Sequence, residues 1–381
     1  WDTVWEVVLN LACAGLTFLC MVKAAGRIVP WRRQWKARWF LPVAAFGFFS
    51  LGPWEAWLWG WTLQIFLNMA TAMAGIALLS APRLTVARLA GAMVCGIVAS
   101  YSFANGLVYW FAALPLLVLG GAPRVSFRRR RAWLVRLAVW SVLGAVVIAL
   151  FFYGYQMREI RPLERSLESI VKVVRYLAAF LGAPLRPRNF HQSQFFGFAG
   201  LAMLLGGSWL LVCRLGRTSV RRLAPVWAVA LYPLLSAAMA VPGRVQSGDG
   251  AMNISRHLYI AAPFWVAVYA ILFAVFVLPS GSGQEKTAAD ALTAPPRPTG
   301  RFVLPLATAG LIAFLALTHV WGSWRTLPDY RRFRAEISQS RADLLDLRDD
   351  GTLWRLHNNR QRMIDLAGWL KEQKFSIFRE Q

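Results

Sequence analysis

The chain has 381 residues, of which 57% are hydrophobic, and a formal net charge of +24. A soluble globular chain is usually about 45–50% apolar even with glycine counted, so this much apolar surface argues against a soluble fold. The charge does not point to nucleic acid, because the Arg and Lys residues load alternate connections between long apolar runs. That alternation is the positive-inside pattern of a multi-pass membrane protein.

Ten runs read as spans, at about 4–25, 39–52, 58–80, 87–104, 105–120, 133–153, 195–213, 223–242, 257–279 and 302–322. About 20 apolar residues in a helix match the hydrocarbon thickness of a bilayer. The second run is short and fits a tilted or re-entrant helix. The fourth and fifth are joined by Asn105-Gly106, a turn signal. Connections 26–38, 81–86, 121–132, 214–222 and 280–301 collect the arginines, including Arg27, Arg83, Arg128 to Arg131, Arg221 and Arg222, and are assigned to the cytoplasm. The 280–301 stretch, with its Gly, Ser and Pro residues, reads as a linker.

The opposite side receives the N-terminus, residues 154–194 and 243–256, and a tail from 323. Residues 163–181 are apolar at helical spacing with charges between, which predicts an amphipathic helix at the outer interface or one packed on neighbouring loops. The tail mixes both charge signs and predicts two helices, near 328–348 and 353–373, split by Asp349-Asp350-Gly351. The expected architecture is therefore all-α. A transmembrane bundle of about ten spans occupies residues 1–322, and a small extracytoplasmic helical tail occupies 323–381. Several of the 19 Trp sit at run ends, as interfacial rings do.

The four Cys lie inside apolar runs, and the four His are scattered without zinc spacing. No metal site is assigned. No Walker motif, dinucleotide fingerprint, nucleophile elbow or zincin helix is present. Chemistry is therefore sought among polar groups at the outer ends of spans. In WEAWLWGW, residues 54–61, Glu55 is the only acid between Glu6 and Glu159. A carboxylate at a membrane mouth serves as a general base, a metal ligand or a partner for a buried Arg, or is simply exposed in an aromatic belt. Trp54, Trp59 and Gln64 belong to the same cluster. In SFANGLVYW, residues 102–110, Asn105 either forms a tight turn or points into an outer cavity.

Between Pro242 and Tyr259, Arg244 and Arg256 stand at the outer ends of consecutive spans, with Ser255, His257 and Tyr259 beside them. Two guanidiniums placed this way can clamp a phosphate or pyrophosphate; the bland alternative is an Arg that snorkels to the interface. Residues 184–194, with Arg186, Arg188 and His191, read as a solvated loop or as a lid over a cavity.

Together WEAWLWGW with Gln64, FANGLVYW, Gly243-Arg244 and Ser255-Arg256-His257-Leu258 resemble a widespread group of bacterial multi-pass membrane proteins. That group is similar to the GT-C class of membrane glycosyltransferases. Its pattern has an Asn where this chain has Ala56 and a Tyr where it has His257. The resemblance covers most of residues 40–280. It implies an inner-membrane enzyme that moves a sugar from a lipid-phosphate donor to a glycan or lipid acceptor on the outer face. It further implies that Arg244 and Arg256 bind the phosphate and that a catalytic acid lies in a first outer loop. Trp1 begins where such a loop would end, so that acid is expected before Trp1, and Asp2 is the remnant candidate. Glu55 is then a second acid or a ligand for a divalent cation. The partners expected are membrane lipids and the lipid-linked sugar, not nucleic acid. A transporter or flippase, or a non-catalytic membrane assembly protein, are the alternatives from other classes.

Overall fold

The computed structural model describes residues 3–31, 34–58, 60–120, 127–155, 166–187, 189–216, 219–244, 255–277, 300–345 and 360–372. Among these the regular structure is helical throughout. The helices are α1 (Thr3–Ala25), α2 (Trp35–Arg38), α3 (Phe40–Phe48), α4 (Trp54–Leu58), α5 (Leu63–Leu79), α6 (Val86–Ser102), α7 (Tyr109–Ala112) and α8 (Leu114–Gly120). They continue as α9 (Phe127–Phe152), α10 (Leu167–Gly182), α11 (Phe190–Leu215), α12 (Ser219–Arg244), α13 (Ser255–Val277), α14 (Gly300–Leu345) and α15 (Arg360–Glu372).

Six of the described helices are long and apolar enough to cross a membrane: Val4–Ala25, Arg131–Phe152, Phe190–Leu215, Ser219–Pro242, Leu258–Val277 and Leu306–Glu336. Leu63–Leu79, Val86–Ser102 and Ala104–Leu119 are apolar but shorter. At about 1.5 Å per residue, a 17-residue helix such as α5 reaches roughly 25 Å, less than the roughly 30 Å of hydrocarbon.

The centre of the bundle is α13, whose apolar window is 89% buried, against 17% for the span in α9. It packs against α3, α10, α11, α12 and α14. Phe40 meets Phe273 and Phe48 meets Tyr259, so α3 runs antiparallel to α13. Small residues set the closest approaches. Gly200 and Gly207 of α11 face Phe264 and Ile271 of α13, while Gly197 faces the Ala178 backbone and Gly182 of α10 faces the Ser193 backbone. These pairings make α10 and α11 an antiparallel hairpin. With lipid as the solvent, such close packing replaces the hydrophobic drive that joins helices in water.

Buried polar groups hold the irregular turns. The Asn68 amide donates to Ala99 O at 2.8 Å and Phe103 O at 3.2 Å, adding a second donor to carbonyls that already accept from the Phe103 and Gly106 amides where α6 ends. The Tyr232 hydroxyl donates to the Asn68 Oδ1. Gly106 presses on the Ala99 backbone, where a Cβ would overlap the carbonyl. Turn geometry thus accounts for the FANGL stretch, and Asn105 is half-buried within it.

Two elements differ from the sequence reading. The run at 302–322 and the first tail helix near 328–348 are parts of one helix, α14, which continues from Gly300 to Leu345. The helix passes through Pro328, whose ring carries no N–H to donate. Residues 163–181 do contain a helix, α10, but its second half is buried against α11 and α13, with Tyr176 and residues 178–182 inside. Its first half leaves Leu167, Ile170, Val171 and Val174 exposed.

Candidate functional site

The N-terminal end of α13 and the C-terminal end of α3 share one end of the bundle with α4. Tyr259 touches Phe48, Trp57 and Phe66, with ring centroids 5.5, 5.4 and 4.2 Å away. Thr17 of α1 lies beside its hydroxyl. The 0% exposure of Tyr259 makes it a core packing residue at this end rather than a surface donor. Trp54 is buried as well, edge-on to Tyr330 of α14 at 5.8 Å.

The link between α3 and α4 is fastened to α14. The Leu51 amide donates to Ser323 Oγ at 3.2 Å, and the Thr326 hydroxyl donates to Ser323 O at 2.7 Å. The α10–α11 hairpin inserts its turn here. Asn189 caps α11 by accepting from the Gln192 amide at 2.9 Å. The turn Ala183–Leu185 packs on Gly322, where a Cβ would come within 2.8 Å of Leu185 O.

Arg186 ends that turn. Its backbone is left-handed, at φ 52°, and its amide donates to Ala183 O at 2.9 Å. A non-glycine residue in this region costs roughly 1–2 kcal/mol, so the packing around it must hold it there. Its side chain passes Gly52, where a Cβ would come within 3.2 Å of the Arg186 Cγ. Burial pulls the proton affinity of the guanidinium down, while the carboxylates of Glu55 and then Asp329 pull it up. An arginine stays charged under such opposing influences. The three residues come from α14, α4 and the hairpin turn, segments far apart in sequence.

Beside Arg186 opens a groove of about 610 Å³. Its polar wall is Arg186, Asn189, His191, Gln192 and Arg325, and Phe195, Phe196 and Trp321 supply aromatic faces. The His191 Nδ1 is 3.4 Å from both Arg175 Nη2 and Gln194 Oε1. The groove therefore offers cations, neutral hydrogen-bond donors and aromatic rings together, a combination suited to an anionic group on a larger apolar or sugar-bearing molecule.

Of the residues singled out from sequence, Glu55 is half-buried within electrostatic range of Arg186, and Trp54 is buried against Tyr330 of α14. Gln64 is exposed on the first turn of α5. Arg244 ends α12, and Ser255, Arg256 and His257 open α13. The packing of α12 on α13, and of α13 on α4, brings those helix ends toward the Glu55 end of the bundle. Their side chains, and all of Asp2, Trp59 and Arg188, lie outside the described residues. Among the described residues no group of three His, Cys, Asp or Glu gathers as a metal-ligand set.

Sequence reasoning missed Asp329 and Arg325, which fall in the expected tail, and left Arg186 in a segment read as a solvated loop or a lid over a cavity. Arg186 in an arginine-bearing loop next to Pro187 carried no signal of burial, because its partners come from distant segments. No family model, curated protein or solved structure matches this chain.

Proposed function

We propose that the protein is a membrane glycosyltransferase similar to the GT-C class, moving a sugar from a lipid-phosphate donor to a glycan or lipid acceptor. The observation that supports this reading is Arg186, within electrostatic range of Glu55 and Asp329 and lining a groove that also presents Arg325, His191 and Asn189. In the proposed reaction an acceptor hydroxyl oxygen bonds to the anomeric carbon of the sugar. The bond from that carbon to the phosphate oxygen breaks, and its electron pair leaves with the phosphate. Arg186 and Arg325 stabilise the charge that develops on that oxygen, as fixed donors do for a developing oxyanion. Arg244 and Arg256, at helix ends near the same site, join them in the full reading. The acceptor proton passes to a carboxylate, for which Glu55 and Asp2 are proposed. Phe195, Phe196 and Trp321 provide an apolar path for the lipid.

The proposal extends to topology. Ten passes, with the arginine-rich connections in the cytoplasm and the Glu55 end outside the cell inner membrane, agree with the one-sided arginine distribution. The tail beyond the last pass is then extracytoplasmic.

The test is photo-crosslinking with a polyprenyl phosphate carrying a benzophenone, which does not require knowing the sugar. Arg186→Gln should abolish labelling of peptides from the groove, and sugar transfer in membranes should fall at least about 100-fold. Equal labelling of wild type, Arg186→Gln and Glu55→Gln would defeat the proposal.

One observation favours a transporter instead. His319 lies within an apolar span, is 2% exposed, and packs against the rings of Trp265 and Tyr269 with neither ring nitrogen hydrogen-bonded. Ionisable residues inside spans often mark a transport path. Proton-coupled uptake into vesicles that disappears in His319→Phe would favour this second reading.

A further inference from the structure

At the other end of the bundle, α1 runs out into residues 26–31 beside the end of α5. The space between them is an open groove of about 810 Å³. Leu19, Val22, Trp31 and Ala77 form apolar walls, and Lys23, Arg27 and Ser80 bring polar groups. Leu19 is 65% exposed, so one wall of the groove continues down the outer surface of the span. Arg27 is half-buried and also borders a second cavity of about 130 Å³, which Ser219 and Arg222 enter from α12.

The charges here are crowded and of one sign. Burial lowers the proton affinity of the Arg27 guanidinium, and the positive charge of Arg88 lowers it further. Arg88 itself is tethered, donating to Arg83 O at 2.7 Å. Residues 7–54, 56–158 and 169–248 contain no Asp or Glu, and these segments supply every residue that lines the two cavities. The positive-inside bias explains cations at this end of the molecule. It does not explain a half-buried guanidinium in an apolar-walled groove with another guanidinium in range. Like charges in such a place repel more strongly than in open water, and a bound anion relieves that repulsion.

We propose that this groove binds the phosphate of an anionic phospholipid, with Lys23 and Arg27 on the phosphate and the acyl chains along Leu19 and Val22. Basic pockets between spans are suited to anionic headgroups. Trp31 is placed to sit at the headgroup level, where amphipathic rings are favoured. The groove is on the opposite end from Arg186, so the proposal does not depend on the reaction assigned there.

The experiment titrates the detergent-purified chain with phosphatidylglycerol, phosphatidylcholine and inorganic phosphate, reading bound lipid by native mass spectrometry and stability by thermal unfolding. Phosphatidylglycerol should bind and raise the unfolding temperature, and phosphatidylcholine should do neither. Arg27→Gln and Lys23→Gln should each weaken phosphatidylglycerol about tenfold, the loss expected for one charged hydrogen bond. Arg131→Gln, on α9, should leave binding unchanged. Lys23 is exposed, so Lys23→Gln carries the test if Arg27→Gln does not fold. Wild-type lipid binding in Lys23→Gln would overturn the site. Stabilisation by millimolar inorganic phosphate equal to that by phosphatidylglycerol would overturn the lipid assignment in favour of a free phosphate.

Discussion

Substituting Gly197 by alanine tests whether the α10–α11 hairpin is what sets Arg186 in place. Gly197 lies where α11 crosses the backbone of α10. A Cβ there would stand 2.9 Å from the Ala178 Cα and closer still to its carbonyl. Carbon atoms prefer roughly 3.5–4.0 Å, and the Ala178 carbonyl oxygen would be only 1.7 Å away, so the two helices must part by more than about 1 Å. The obstacle is backbone, which cannot turn aside as a flexible side chain does. Overpacking of this kind costs about 1–3 kcal/mol, and sometimes more. Gly206 provides a control on the same helix, because a Cβ there meets nothing within 4 Å. Gly206→Ala should be neutral or stabilising by up to about 1 kcal/mol, the difference in helix propensity. Unfolding of the detergent-solubilised protein in sodium dodecyl sulfate, followed by Trp fluorescence, measures both. Because the hairpin turn carries Arg186, Gly197→Ala should also reduce polyprenyl-phosphate crosslinking, while Gly206→Ala should not. Indistinguishable unfolding of the two variants would refute the close-approach argument and with it the account of how Arg186 is positioned.

Asn68→Leu should cost about 1–3 kcal/mol, because it leaves the Tyr232 hydroxyl buried without its acceptor and removes the amide bonds to Ala99 O and Phe103 O; the same unfolding assay measures it. Glu168 is held below the usual carboxylate range by Lys172, 2.6 Å away. Its small contribution is present above the unfolded carboxylate pKa and fades as pH falls through the folded one, so Lys172→Ala should abolish any acid-side loss of α10 protection in hydrogen exchange. In a variant with the native cysteines removed, Ser126→Cys should resist an impermeant thiol reagent in intact cells and Ser338→Cys should react. Labelling at Ser126 would reverse the proposed orientation.

The class of the molecule was readable from local sequence. A bilayer imposes one length and one polarity on whatever crosses it, so a run such as 4–25 or 257–279 declares itself without reference to any other part of the chain. The arginine rhythm is equally local, and the orientation drawn from it belongs to the proposed topology. The turn at Asn105-Gly106 was equally legible, although the reason for Gly106, its contact with the Ala99 backbone, was not. Shorter helices such as α3 and α5 were harder to judge, because a helix of that length can pack inside a bundle without crossing. The sequence motifs brought Glu55 and Trp54 to attention, and a buried Arg was one partner they offered for Glu55, but nothing local said which Arg.

Only the tertiary arrangement could make Arg186 a site residue. Its partial burial comes from Gly52 and Gly322, the nearby opposite charges from α4 and α14, and its backbone geometry from the hairpin behind it. None of these is within 100 residues of it in sequence except the hairpin itself. The continuation of α14 beyond the expected end of the last span at 322 belongs with this group: Ser323, Thr326 and Tyr330 anchor it to Leu51 and Trp54. Periodicity and charge bias are properties of neighbouring residues, whereas a binding groove is made by surfaces that meet only when the helices pack.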